Sequence, residues 1–135
     1  MGEDQGMIDG AITIIIHDVA PSANRMYAGM HPMARRKLVS AWKTMVIVEA
    51  RRQKLTRFRG KYPVDIDCVC RFGRGCRMTD ADNCYLTAKL AIDGLVRAGV
   101  LVNDSPRYIR SVRFVPERSE TGKSYSILTI REAGS

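Results

Sequence analysis

Two carboxylates spaced two residues apart, then a lysine and a carboxylate at helical spacing, form the stretch best suited to chemistry. Asp80 and Asp82 flank Ala81, Lys89 and Asp93 follow, and Asp104 lies beyond, next to Asn103. A helix turns about 100° per residue, so Lys89 falls roughly 20° to one side of Asp82 and Asp93 roughly 20° to the other. The three share one line of one face, with Arg97 about 60° away. Cys84, Tyr85, Ala88, Ala91, Ile92, Leu95 and Ala98 fill the opposite arc, the expected core face. Carboxylate oxygens are the donors Mg²⁺ prefers, with water completing its shell. An ion held here would orient and activate water against a phosphodiester. Each residue also has an ordinary role: Asp80 or Asp82 as a helix cap, Lys89 and Asp93 as an i,i+4 ion pair, Asp104 as a turn residue. Asp80, Asp82, Asp93 and Asp104 around one lysine, in a basic chain, favour the cation site.

These residues need elements to position them. The helix is expected from Asp82, with Gly99 as its stop, and Asn103-Asp104-Ser105-Pro106 is a turn signal. Val64 to Phe72 alternates: Val64, Ile66, Cys68 and Cys70 point one way, Asp65, Asp67, Val69 and Arg71 the other. The loop after it carries Arg74 and Arg77, which either guide a phosphate toward the acids or balance their charge. Upstream, Ala11 to His17 is a β-branched strand, and His17 at its end has no partner at ligand spacing. Asp18 to Pro32 is loop-like, and its Asn24 and Arg25 either contact a DNA backbone or only turn the chain. A helix follows from Met33 to about Leu55, with Leu38, Val39, Trp42, Met45, Val46 and Ala50 on one stripe. Downstream, Arg107 to Pro116 alternates irregularly, as a strand with a bulge would, and Tyr125 to Ile130 is a last strand after a short connection.

The order is β-α-β-α-β-β. We expect an α+β fold with a mixed sheet and helices packed on it: parallel pairing across the helical crossovers and an antiparallel hairpin at the end. Residues 1–10 are expected to be a loose tail and 11–132 a single domain.

Charge is localised. The 135 residues carry a net charge of +8. Arg35 to Lys61 holds ten basic residues, Arg51 and Arg52 among them, against Glu49 alone; the rest holds twelve basic and thirteen acidic. Such a block is the electrostatic footprint of nucleic-acid binding, the bland alternative being a solvated helix face. A membrane surface would want more apolar area than this helix can spare from the core. No stretch approaches a membrane span and no basic-then-apolar leader opens the chain, so a cytoplasmic location is expected. Cys68, Cys70, Cys76 and Cys84 lack the usual zinc spacing and are expected to be buried free thiols.

Several of these segments resemble the RusA family of Holliday junction resolvases. They are Arg77-Met78-Thr79-Asp80-Ala81-Asp82-Asn83, Lys89, Asp93-Gly94-Leu95-Val96-Arg97-Ala98-Gly99-Val100-Leu101 and Asn103-Asp104, with Pro21-Ser22-Ala23-Asn24-Arg25-Met26-Tyr27 upstream. The likeness runs from about Ile12 to Ile130. It implies a crossover junction endodeoxyribonuclease that resolves four-way DNA in recombination and repair, as a homodimer, with Mg²⁺ or in its place Mn²⁺. Asp80, Asp82 and Asp104 would hold the ion, and Lys89 would stabilise charge developing on the phosphate. Asp93 would either reach the ion indirectly or hold Lys89. Two departures stand out. Asn103 replaces a frequent Asp, which removes one charge, and the Asp82-to-Asp93 interval is about three residues longer than in the best-known member. The alternative reading is a branched-DNA-binding module with a weakened metal site and no catalysis.

Overall fold

The computed structural model describes residues 7–8, 11–20, 28–75 and 82–134, with side chains at all of these except 7, 8, 82 and 83. In chain order the elements are β1 (Met7–Ile8), β2 (Ala11–Ile16), α1 (Pro32–Arg52), β3 (Val64–Phe72), α2 (Asp82–Arg97), β4 (Ile109–Arg118) and β5 (Tyr125–Glu132). The fold is α+β with a mixed sheet, ordered β1-β2-β5-β3-β4. Among the described residues no helix is long and apolar enough to cross a membrane.

The expected terminal hairpin does not form. β5 runs antiparallel to both β2 and β3 and lies between them, whereas β4 pairs with β3 in parallel. Burial explains the choice. β5 alternates cleanly, with Ser126, Leu128 and Ile130 at 0 % exposure, so it can take a neighbour on each side. β4 carries Pro116, which cannot donate to a ladder, together with Arg110, Arg113, Glu117 and Arg118, and such a strand belongs at an edge. Residues 119–124 cross the end of β3 to make the exchange: Ser119 N–H donates to Phe72 O (2.9 Å), and Gly73 N–H donates to Ser124 Oγ (2.9 Å). The β3-α2-β4 crossover is therefore a parallel pair as expected, while β2 and β3 are parallel in direction but separated by β5. The segment expected to be only a tail contributes β1, where Met7 and Ile8 pair with Ile12 and Ala11.

Both helices cover one face of the sheet. α1 lies over β2, α2 over β3 and β4, and the helices pack on each other. Ile12, Ile14, Ile16, Val64, Ile66, Cys68 and Cys70 face them, buried with Trp42, Val46, Leu86, Ala91 and Leu95. α1 ends at Arg52, three residues early, because Gln53 turns aside. Its side chain accepts from Ile15 N–H (3.3 Å) and donates to Ile15 O (2.9 Å). The next residue, Lys54, is left-handed at φ 59°.

Two close contacts fix what the site depends on. A Cβ on Gly94 would lie 2.6 Å from Val46 Cβ, so α2 rests directly on α1 there. At the other contact, Asp65 pairs with Ser111 while Val64 pairs with Ile109, which leaves Arg110 as an extra, bulged residue of β4. The buried Asp65 carboxylate accepts from Arg110 Nε (3.0 Å), Arg110 Nη2 (2.6 Å) and Ser111 Oγ (2.7 Å). Hydrogen bonds from Arg110, then from Ser111, hold its pKa below the ordinary 3.8.

We expect Gly94→Ala to destabilise the protein by about 1–3 kcal/mol in denaturant titration, because the added methyl must separate two packed helices. Unchanged stability would mean α1 and α2 do not touch at that point. Asp65 supplies a pH signature. A depressed folded-state pKa gives stability that is fully present above the unfolded value and lost as pH falls through the folded one. The stability gap between wild type and Asp65→Asn should therefore be level above the ordinary 3.8 and close on further acidification. A gap that stays constant down to about pH 2 would show that the carboxylate charge contributes nothing.

Candidate active site

One face of α2 and the outer edge of the sheet enclose a cleft of about 290 Å³. α2 contributes Tyr85, Lys89 and Asp93, at i, i+4 and i+8, hence on one line of the helix. The α2–β4 connection contributes Asp104, and the start of β4 contributes Arg110, Ser111 and Phe114. Ala88, Ile92, Ile109 and Val112 make the floor. The result is a charged rim over an apolar base, in which a phosphate-sized group would meet cations and carboxylates together.

α2 presents these groups because its other faces are occupied. Cys84, Leu86, Ala88, Leu90, Ala91 and Leu95 are buried against the sheet and α1. Gly99, at φ 82°, ends the helix in the Schellman pattern: its N–H donates to Val96 O (3.1 Å) and that of Val100 to Leu95 O (2.9 Å). The chain then turns sharply toward β4. Asn103 Oδ1 accepts from Ser105 N–H at 3.0 Å, a side-chain turn that shapes the backbone on either side of Asp104. The basic segment after α1 anchors the same connection. Phe58 N–H donates to Val100 O (2.8 Å), and Val102 N–H donates to Tyr62 Oη (3.2 Å). The Tyr62 and Tyr108 rings meet edge to face at 5.3 Å. Exposed Arg57, Arg59 and Lys61 thus belong to a segment packed on the loop that carries Asp104.

The residues singled out from sequence fall into three groups. Lys89, Asp93 and Asp104 come together in the cleft; Lys89 and Asp104 are exposed and Asp93 is half-buried. Asn24, Arg25, Arg77 and Asp80 lie outside the described residues. Asp82 opens α2, with its side chain also outside the description. Arg51, Arg52 and Arg74 are exposed but line no part of the cleft. Arg51 and Arg52 end α1, and Arg52 is tied to Glu49 at 2.8 Å.

Tyr85 corrects the helical projection. It was assigned to the core arc, but it is 46 % exposed and meets Phe114 edge to face at 6.1 Å. It lies roughly 40° from Lys89 around the helix, nearer the charged line than the centre of the core face. Arg110, Ser111 and Phe114 were not among the candidates. Their signal was the irregular alternation of β4, which indicated a bulge without saying which way its side chains turn.

The described cysteines match the thiol reading. Cys68, Cys70 and Cys84 are buried and unbridged, with Cys68 Sγ 3.8 Å from Cys70 Sγ. The Cys68 contact pushes the Cys70 thiol up, and the Cys70 contact, followed by burial, does the same to Cys84, so both stay protonated. Among the described residues no three His, Cys, Asp or Glu side chains form a metal-holding group. The oxygen donors they offer the cleft are Asp93 and Asp104, which suit a hard cation; a fuller set depends on Asp80 and Asp82.

A comparison with protein-family models found no match, and neither did one with curated proteins.

Proposed function

We propose that this chain is a metal-dependent endonuclease of the RusA kind, which cuts four-way or otherwise branched DNA at paired phosphodiesters. The observation that carries the proposal is the cleft. Lys89, Asp93 and Asp104, chosen for chemistry and spread over sixteen positions of sequence, line one pocket on a chain of net charge +8.

In this reading Asp80, Asp82 and Asp104 hold Mg²⁺, with Mn²⁺ as a substitute, and Asp93 either supports the ion indirectly or orients Lys89. When bound, the ion supplies charge neutralisation at the scissile phosphate and orientation of the attacking water. Lys89, exposed on the cleft wall, stabilises negative charge gathering on the phosphoryl oxygens or the leaving oxygen. The basic run from Arg51 to Lys61 tracks neighbouring phosphates and leads to the cleft through its packing on the Asp104 connection. A homodimer related by a two-fold axis would set two such clefts against a substrate of matching symmetry.

The second reading, a binding module without catalysis, draws on Asn103. Its oxygen is engaged in the turn at Ser105, and it brings no charge to the cleft edge.

A labelled four-way junction beside a matched linear duplex, with Mg²⁺ or with chelator, separates the readings. Wild type should nick the junction symmetrically and only with the ion. Asp82→Asn and Asp104→Asn should each lower the rate about 100-fold or more, and Lys89→Ala by about 10²–10³-fold. Tight binding with no nicking in Mg²⁺ or Mn²⁺ would favour the module. Reversing charge at Arg51 and Arg52 should weaken junction affinity and flatten its logarithmic salt dependence by about two. An unchanged slope would remove this helix end from the DNA surface.

A further inference from the structure

Arginines on the open face of the sheet pair with carboxylates in several places. Arg113 and Arg131 both meet Asp67, and Arg71 meets Glu117. None of these lines the cleft. Arg110 differs. The bulge inserts it out of register, it lines the same cleft as Lys89 and Asp104, and its side chain is 56 % exposed although its partner Asp65 is buried.

The hydrogen-bond pattern shows what remains available. A guanidinium has five N–H donors in a planar fork. Asp65 takes one from Nε and one from Nη2, along a single side of the plane. Among the described residues nothing accepts from Nη1. The end-on edge, Nη1 with the second hydrogen of Nη2, is a bidentate donor pair of the geometry that matches two oxygens of a phosphate. Ser111 Oγ fixes the carboxylate in turn, donating to the same Oδ1 that accepts from Arg110 Nε. An arginine held this way has already lost most of its rotamer freedom, so a phosphate that binds it incurs less of that entropic cost.

We propose that Arg110 is a phosphate-binding residue of the cleft, with Asp65 and Ser111 as its positioning residues. It grips a phosphodiester of the substrate end-on while Asp65 holds it side-on. The inference rests on the nuclease reading for its substrate but extends it to a cation on the wall opposite Lys89. Lys89 from α2 and Arg110 from β4 then approach the phosphate from two sides, which fixes its orientation as one cation would not.

The first test uses inorganic phosphate and a thymidine dinucleotide, followed by NMR at the Arg110 Nε–H. In wild type each should shift this resonance saturably. Asp65→Asn should weaken that response. On the four-way junction, Arg110→Gln should raise Kd about tenfold and flatten the logarithmic salt slope by about one. Arg110→Lys should restore the slope but not the full affinity, because an ammonium lacks the fork. Asp65→Asn should lower affinity several-fold with the slope unchanged, since the cation remains but is no longer aimed. The proposal is overturned if phosphate and dinucleotide leave the Nε–H resonance unmoved. It is equally overturned if Arg110→Gln keeps wild-type affinity and slope while only thermal stability drops, the result expected of a plain β3–β4 staple. Failure of wild type to nick DNA would remove the nuclease reading alone, because the small-ligand shifts do not depend on cleavage.

Discussion

Direct backbone-to-side-chain contact between α2 and α1 at Gly94 sets where the charged groups of this protein can point. With no side chain at that position, Val46 reaches the helix surface itself, and α2 cannot roll without opening the seam. Its remaining apolar residues are committed to the sheet, down to Cys84, Leu86 and Leu95 at 0 % exposure. Only one line is left to face outward along β4, and it carries Tyr85, Lys89 and Asp93. The placement of this line therefore follows from burial of the opposite faces. Core packing is stiff enough to transmit such a constraint, because interiors near crystalline density do not deform continuously.

The sheet edge supplies the other wall. β4 is the strand least able to be central, and among the described residues its edge position leaves one side of its ladder unpaired. A bulge is tolerated there, and it re-aims a side chain at little cost to the rest of the sheet. Parallel pairing to β3 matters too. It requires α2 to cross over and the chain to return beside the start of β3, so the α2–β4 connection and the basic segment before β3 meet at the same end of the sheet. Their hydrogen bonds, Phe58 N–H to Val100 O and Val102 N–H to Tyr62 Oη, follow from that topology.

Much of this was legible in the residues. The 3.6-residue period and Gly99 gave α2 both of its ends, Asp82 and Arg97. The alternation of Val64 to Phe72 gave β3 at its full extent. The uneven spacing of Ile109, Val112 and Phe114 gave the bulge. The partner of β5 was not legible. A short connection favours a hairpin locally, and what overrides it is a comparison between strands: β5 has the cleaner buried face and β4 has a proline. Such competition is settled across the whole sheet, so neither strand decides it alone. Arg110 escaped notice for a related reason. A bulge can be inferred from spacing, but the side to which its extra residue turns depends on a carboxylate forty-five positions away.

Charge balance in the cleft constrains what it can hold. Its described charged side chains are Lys89 and Arg110 against Asp93 and Asp104, two of each sign. The nearby N-terminus of α2 adds about +0.5 of a charge from its aligned peptides. With the Asp65 carboxylate already paired to Arg110, these groups leave only a weak net pull on a lone divalent cation. A second pair of carboxylates strengthens it, and the chain has Asp80 and Asp82 at that end of the helix. In the proposed reading, these two carboxylates would make the site acidic before a substrate arrives, and a cation–phosphate pair would bring it close to neutrality. Asn103 fits the same balance. An aspartate there would form the same turn through its carboxylate oxygen, but it would add a further negative charge beside Asp104, which in the proposed reading would raise the repulsion on an incoming phosphate. An amide keeps the turn that shapes the Asp104 loop without adding that charge.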